Sequence, residues 1–291
     1  MIVDCHTQIW DQSLAGKMAA AEMVRVDVKA DAAYHTEAVH AVDRAFVLGF
    51  KSSYLQAEIP NRFVADHVKR FAAKLIGFAG IDPTDADWQD QLRIAHDELS
   101  LKGVTICPPL QNYHPTDTRA MEMYEECSRR GLPVIIDQSM HNPAAKMEYA
   151  RPMLLDEVAR EFPQLRIVVA HMGYPWVDET LVLLAKHPQV FANVAGLLRR
   201  PWLSYNALLS ALEFGVVSKL LFGSDFPYRS PAACIETLYS INHFAHGTSL
   251  TAIPREQLRG IVERDALSLL GIEKPVGAIR TAEVRTLFEE E

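Results

Sequence analysis

Eight short apolar runs, spread over the whole chain, constrain its fold more than any other feature. They are Ile2–Cys5, Ala45–Leu48, Leu75–Ala79, Gly103–Ile106, Pro133–Ile136, Arg166–Ala170, Val190–Val194 and Lys219–Phe222. Each is rich in Val, Ile or Leu and none alternates with polar residues. That pattern predicts strands buried on both faces of a parallel sheet. Amphipathic stretches separate the runs. Asn61 heads one that carries Phe63, Val64, Val68 and Phe71 on one face. Asp117 or Thr118 heads another, with Met121 and Tyr124, stopped by Gly131 and Pro133. Met153, Leu154, Val158 and Phe162 make a third stripe, and Leu181, Leu184 and Ala185 a fourth. Stripes at this spacing are core packing. Eight strand–helix units in 291 residues predict an α/β fold, a (β/α)8 TIM barrel filling residues 1–291 as one domain. An open doubly wound sheet would call for a Gly-rich phosphate turn after the first strand, and none is present. Two extra helices are expected past the last strand, over Ala232–Phe244 and Arg255–Leu270, then a surface segment from Glu273.

Composition narrows the function classes. With 49% hydrophobic and 23% charged residues the chain can bury a large core and is not disordered. A net charge of −8 argues against a nucleic-acid partner. No apolar run reaches the roughly eighteen residues of a membrane helix. The N-terminus enters a strand pattern at once, which leaves no room for a signal peptide. Cys5, Cys107, Cys127 and Cys234 form no CxxC pair and read as buried free thiols. These features predict a cytoplasmic protein that acts on a small molecule, without membrane or nucleic acid, and as a homodimer if it assembles.

A barrel of this kind builds its active site at the C-terminal ends of its strands. The first exit carries His6 and Gln8, and the fourth Cys107-Pro108-Pro109 with Tyr113 and His114 behind it. Asp137 and Gln138 follow the fifth, His171 the sixth, Arg199 and Arg200 the seventh, and Asp225 the eighth, with Arg229 just beyond. Two histidines and two carboxylates from four exits converge on one mouth. Each has a plainer role open to it. A strand-end His can be a structural hydrogen-bonder, Asp137 a cap, and Asp225 before Phe-Pro a turn residue. Arg199, Arg200 or Arg229, aimed inward, would grip a substrate carboxylate in bidentate fashion, and Tyr113 and His114 would line the mouth. His141 and His246 read as loop histidines.

DCHTQIW at the start, GFAGIDP at 77–83, GVTICPP at 103–109, GLPVIID at 131–137, VVAHMGYPW at 168–176 and LLFGSDFPY at 220–228 occur in that order. In this set the chain resembles the amidohydrolase superfamily, in its amidohydrolase family 2 branch. That branch includes relatives of amino-carboxymuconate-semialdehyde decarboxylase and several lactonases. The resemblance implies a divalent metal held by two histidines of the first strand, a histidine after the fifth and an aspartate after the eighth. It also implies a catalytic histidine after the sixth. His6 then matches the first ligand, Asp225 the aspartate and His171 the catalytic histidine. Gln8 and Asp137 stand where the other two metal-binding histidines would be. A reduced set of His6, Asp137 and Asp225, with Gln8 nearby, would suit zinc first, with manganese or magnesium also compatible. A metal-free site is equally coherent, because a lactone carbonyl is electrophilic enough to do without a Lewis acid.

Three functions follow as expectations. The first is hydrolysis of a lactone or ester of a carboxylic acid, by water that Asp225 activates while His171 stabilises the oxyanion or protonates the leaving oxygen. The second is metal-dependent, non-oxidative decarboxylation of a small unsaturated or aromatic acid. The third is a barrel that binds without catalysis.

Overall fold

The computed structural model describes residues 1–14, 28–138 and 143–273. His141 and the surface segment expected beyond Glu273 lie outside them. The eight apolar runs become strands β1 (Val3–Thr7), β2 (Arg44–Leu48), β3 (Leu75–Gly80), β4 (Val104–Ile106), β5 (Val134–Ile136), β6 (Ile167–Val169), β7 (Val190–Asn193) and β8 (Leu220–Leu221). They form one sheet in chain order with every neighbouring pair parallel. The Cys5 N–H donates to Phe222 O at 2.9 Å and a parallel bridge joins Thr7 to Phe226, so β8 returns to β1. The fold is the TIM barrel. One antiparallel hairpin, Phe50–Ser52 with Ala57–Ile59, is inserted after β2.

The strands are buried on both faces because they separate two cores. Val3, Cys5, Phe46, Phe78, Ile135, Phe191 and Leu221 fill the barrel interior. Side chains of the opposite parity, such as Val47, Val134 and Val169, pack on the outer helices. Each fully buried side chain of this size contributes about 1.5–3 kcal/mol. In β1 the pairing register shifts between Asp4 and Thr7. That irregularity lets Cys5 pack in the interior while the adjacent His6 still reaches the mouth.

Several local expectations change. Arg255–Leu270 is not one helix but two, Arg255–Val262 and Ala266–Leu269. Arg264 between them donates to Leu220 O and Val217 O, and the Asp265 carboxylate caps the second helix at Ser268 N. The break turns Leu267 and Leu270 into the barrel interior. Asn61 begins the helix Asn61–Arg70 but does not cap it. Its amide instead accepts from Gly80 N–H and donates to Gly80 O, clamping the end of β3. Met153 and Ala185 face solvent, and Leu155 and Leu183 are buried in their stripes. Asp117 does cap the helix Thr118–Arg130, which ends on left-handed Gly131. All four cysteines are buried thiols, and burial pushes those of Cys127 and Cys234 up to about 12. No helix among the described residues is long and apolar enough to cross a membrane.

Candidate active site

Four side chains from four strand exits meet at one end of the barrel. The His6 and His171 rings lie 4.7 Å apart, tilted by 50°. His6 Nε2 is 4.0 Å from Asp225 Oδ1, and His171 Nε2 is 3.6 Å from Asp137 Oδ1. A fifth group, the Arg199 guanidinium, approaches the other Asp225 oxygen at 3.2 Å.

Local structure holds each in place. Asp4 is fully buried, and one of its oxygens accepts the His6 N–H (3.1 Å) and the Ser224 N–H (2.9 Å). It therefore ties the strand bearing His6 to the turn bearing Asp225. Burial, together with the nearby Asp225 charge, raises the Asp4 carboxyl to about 6 against those hydrogen bonds. Asp225 sits in the left-handed region at φ 66°, its N–H on His6 O at 3.1 Å. His171 and Met172 have φ of 55° and 50°. Such values cost an L-residue about 1–2 kcal/mol each, a strain the surrounding hydrogen bonds must hold. The His171 N–H donates to Asn193 Oδ1 at 3.0 Å, and its ring Nδ1 donates to Ala195 O at 2.9 Å.

Charge then sorts the groups. Burial opposes the His171 imidazolium, but Asp137 beside it and Asp225 beyond outweigh that and hold it up to about 9. His6 is pushed down to about 3 by burial and by the His171 charge. Asp225 is raised to about 6 by burial and Asp137, against the pull of His171 and Arg199. At neutral pH the mouth thus holds a neutral imidazole, an imidazolium, and a carboxylate of raised basicity.

Ligand atoms of His6, His171 and Asp225 lie within 4.8 Å of one another. Among the described residues this trio, rather than the expected His6, Asp137 and Asp225, is the group spaced to hold a metal ion, and Asp137 pairs with His171. Gln8 follows β1, half-buried, and its backbone N–H pairs with Phe226 O at 2.9 Å. Spacing is one half of the requirement, and lone pairs are the other. The Asn193 amide nitrogen stands 3.3 Å from His6 Nδ1 and donates to it. The ring's own proton is then on Nε2, the atom facing Asp225, and an N–H cannot coordinate. As hydrogen-bonded here, the trio does not fit a three-ligand metal ion.

The other expected residues are placed variously. Arg199 lies over the Tyr228 ring at 5.0 Å and Arg200 over the Tyr174 ring at 5.7 Å, both exposed at the rim. Arg229 is committed within its own loops, donating to Leu198 O, Ala233 O and Thr237 Oγ1. It fastens the turn that presents Arg199 and is not spread toward the mouth. Tyr113 is buried in the outer core beside Tyr124, and burial raises its phenol well above the ordinary range. His114 sits in an exposed turn, its Nδ1 on Thr116 and its ring edge-on to Tyr149. Asp4, Asn193 and Gly196 were not singled out in the sequence. The available signals were an Asp just before the strand-exit His and a lone amide inside the apolar run VFANVAG.

A parallel barrel with its polar groups gathered at the strand exits defines a (β/α)8 protein of enzyme type. The family model described as Amidohydrolase (Amidohydro_2) matches residues 3–272, and the chain belongs to that family. Its fold is shared with an uncharacterized TIM-barrel protein from Bordetella bronchiseptica, at 19% identity and TM-score 0.71, over 93% of this chain and 98% of that one. A probable 2-pyrone-4,6-dicarboxylic acid hydrolase from Acinetobacter baumannii, with citric acid bound, matches at 16% identity and TM-score 0.69, over 93% and 99%. A dihydroxybenzoic acid decarboxylase from Polaromonas, with bound manganese and 2-nitroresorcinol, matches at 14% and 0.65, over 93% and 97%. Hydrolases and decarboxylases thus both occur on this fold. No curated protein matches the chain.

Proposed function

We propose that the protein hydrolyses a small lactone, or a related ester, that carries at least one further carboxylate. The observation that carries this reading is the setting of Asp225. One of its oxygens is held by Arg199 at 3.2 Å, the other faces His6, and the His171 cation stands beside it. Its raised basicity suits it to take a proton from water at neutral pH. The water oxygen bonds to the carbonyl carbon, and the carbonyl electrons move onto oxygen, where the His171 imidazolium stabilises them. Collapse of the adduct breaks the bond to the ring oxygen. That oxygen leaves with a proton from His171, and the proton on Asp225 passes to the resulting imidazole and restores the imidazolium. One water is added overall. Arg199 and Arg200, spread on aromatic faces at the rim, supply the fork geometry that binds a carboxylate on the substrate. The Acinetobacter neighbour, named for a pyrone dicarboxylate and binding citrate, supports a polycarboxylate substrate.

Turnover of a panel of carboxylated lactones, pyrone dicarboxylates among them, tests the reading. Asp225→Asn is expected to lower kcat by about 10³-fold or more with the fold intact, since it removes the base. A folded Asp225→Asn protein with full activity would refute the assignment. Decarboxylation of a small hydroxyaromatic acid is a second reading, supported by the Polaromonas neighbour with its manganese. Release of carbon dioxide from dihydroxybenzoates, with no lactone turnover, would put it first.

A further inference from the structure

Asn193 ends β7, fully buried, with its side chain between the two histidines. Its Oδ1 is 3.0 Å from the His171 backbone N and 3.3 Å from the Ala195 backbone N. Backbone N–H groups only donate, so the atom they face must be the amide oxygen. Turning the amide over would set its NH2 against both of them. The nitrogen is thereby fixed on the other side, 3.3 Å from His6 Nδ1. An amide NH2 only donates, so His6 Nδ1 must accept, and the ring carries its proton on Nε2.

His171 is set the opposite way. Its Nδ1 lies 2.9 Å from Ala195 O, a group that only accepts, so the proton there is on Nδ1 and Nε2 faces Asp137. That is the usual arrangement behind a metal-binding imidazole, whose rear nitrogen donates to a carbonyl or carboxylate. His6 has the reverse, a donor behind it.

We infer that Asn193 is a positioning residue that locks His6 as its Nε2–H tautomer, making the mouth a hydrogen-bond-donating site in place of a metal site. To bind a cation through Nε2, His6 would have to move its proton to Nδ1. The Nδ1–H would then oppose an amide NH2 that cannot turn. With Nε2–H held toward the mouth, His6 adds a second donor beside His171 for a developing oxyanion. That last step rests on the hydrolytic reading above; the tautomer does not.

Long-range ¹⁵N–¹H spectra of histidine-labelled protein, purified without added metal and read without substrate, test the inference. His6 is expected to show a protonated Nε2 and a bare Nδ1. A protonated His6 Nδ1 overturns it, as does stoichiometric metal bound through His6. Asn193→Asp keeps one oxygen for the two backbone N–H groups and offers the other to His6. It is expected to flip the tautomer and to tighten Mn²⁺ binding at least ten-fold over wild type, measured by calorimetry. A folded Asn193→Asp protein with the wild-type spectrum and affinity overturns the role of Asn193. If that variant does not fold, Asn193→Ser serves: loss of the exclusive Nε2–H signature supports the lock, and its retention overturns it. The expected spectrum without lactone turnover would sink the proposed function alone, and turnover with a His6 Nδ1–H would sink the tautomer lock alone.

Discussion

Gly196 has no space for a side chain. A Cβ there would stand 2.9 Å from His171 Nδ1 and 3.3 Å from Asp225 Oδ2, and its φ of 70° lies in the left-handed region. Gly196→Ala would therefore strain the turn and press the His171 ring off its hydrogen bond to Ala195 O. The expected cost is about 1–3 kcal/mol of stability, read by urea unfolding. The expected fall in kcat/KM is about 10²-fold, since reacting groups tolerate little displacement. Wild-type kinetics in the variant would mean that the ring position is not set by this contact. At this scale the sequence was partly legible. His6, His171 and Asp225 announce themselves as polar residues terminating apolar runs, and the structure brings them together. Asn193 does not, because nothing in VFANVAG says that its amide is clamped by two backbone donors. Arg229 looked as available as Arg199, and only the structure reveals that its donors are already occupied.

Elements are held around β1 by a chain of buried polar groups. Thr7 donates its hydroxyl proton to Phe46 O, so it accepts from His35 Nε2 at 2.9 Å. His35 Nδ1 must then accept from His67 Nε2 at 3.0 Å. The chain joins β1 and β2 to the helices Ala32–Ala38 and Asn61–Arg70. Both rings are neutral here. Burial, with the charge of His67, holds His35 down to about 3, and burial with Arg70 holds His67 down to about 4. The unfolded chain takes up these protons below about 6.5 while the folded one does not. Their contribution to stability is therefore complete above that value and is lost as pH falls toward the folded pKa values. His35→Leu is expected to cost about 2–4 kcal/mol near pH 7, because Thr7 and His67 lose their partner. It should also remove roughly 1.4 kcal/mol per pH unit from the acid slope of stability. Urea unfolding near pH 5 and near pH 7 reads both, and an unchanged slope would mean His35 titrates normally in the fold. The strands were legible because burial on both faces leaves an unbroken apolar run. This histidine chain was not, since it links residues from distant elements through atoms that only tertiary packing brings together. The break at Glu263–Asp265 was hidden for the same reason: Arg264 is turned inward by carbonyls of the β8 region.

Across the whole molecule, the barrel places Asp137, His171 and Asp225 on three separate strand exits, close enough to titrate as one coupled system. The proposed reaction needs the Asp225 base ionised and His171 protonated. Activity should rise with pH through about 6, as Asp225 loses its proton, and fall through about 9, as His171 loses its own. Asp137 raises both values, because its negative charge favours the imidazolium and opposes the second carboxylate. Asp137→Asn should therefore move both limbs of the kcat/KM profile to lower pH, each by roughly 1–2 units. The alkaline limb then falls near neutrality, so activity near pH 8 drops by roughly two- to ten-fold while the acid side broadens. A residue with only a packing role would scale the profile without moving it. If both limbs stay where they are in a folded Asp137→Asn protein, the anion does not set the proton inventory of the mouth. The assignment of His171 as the acid would then fall with it.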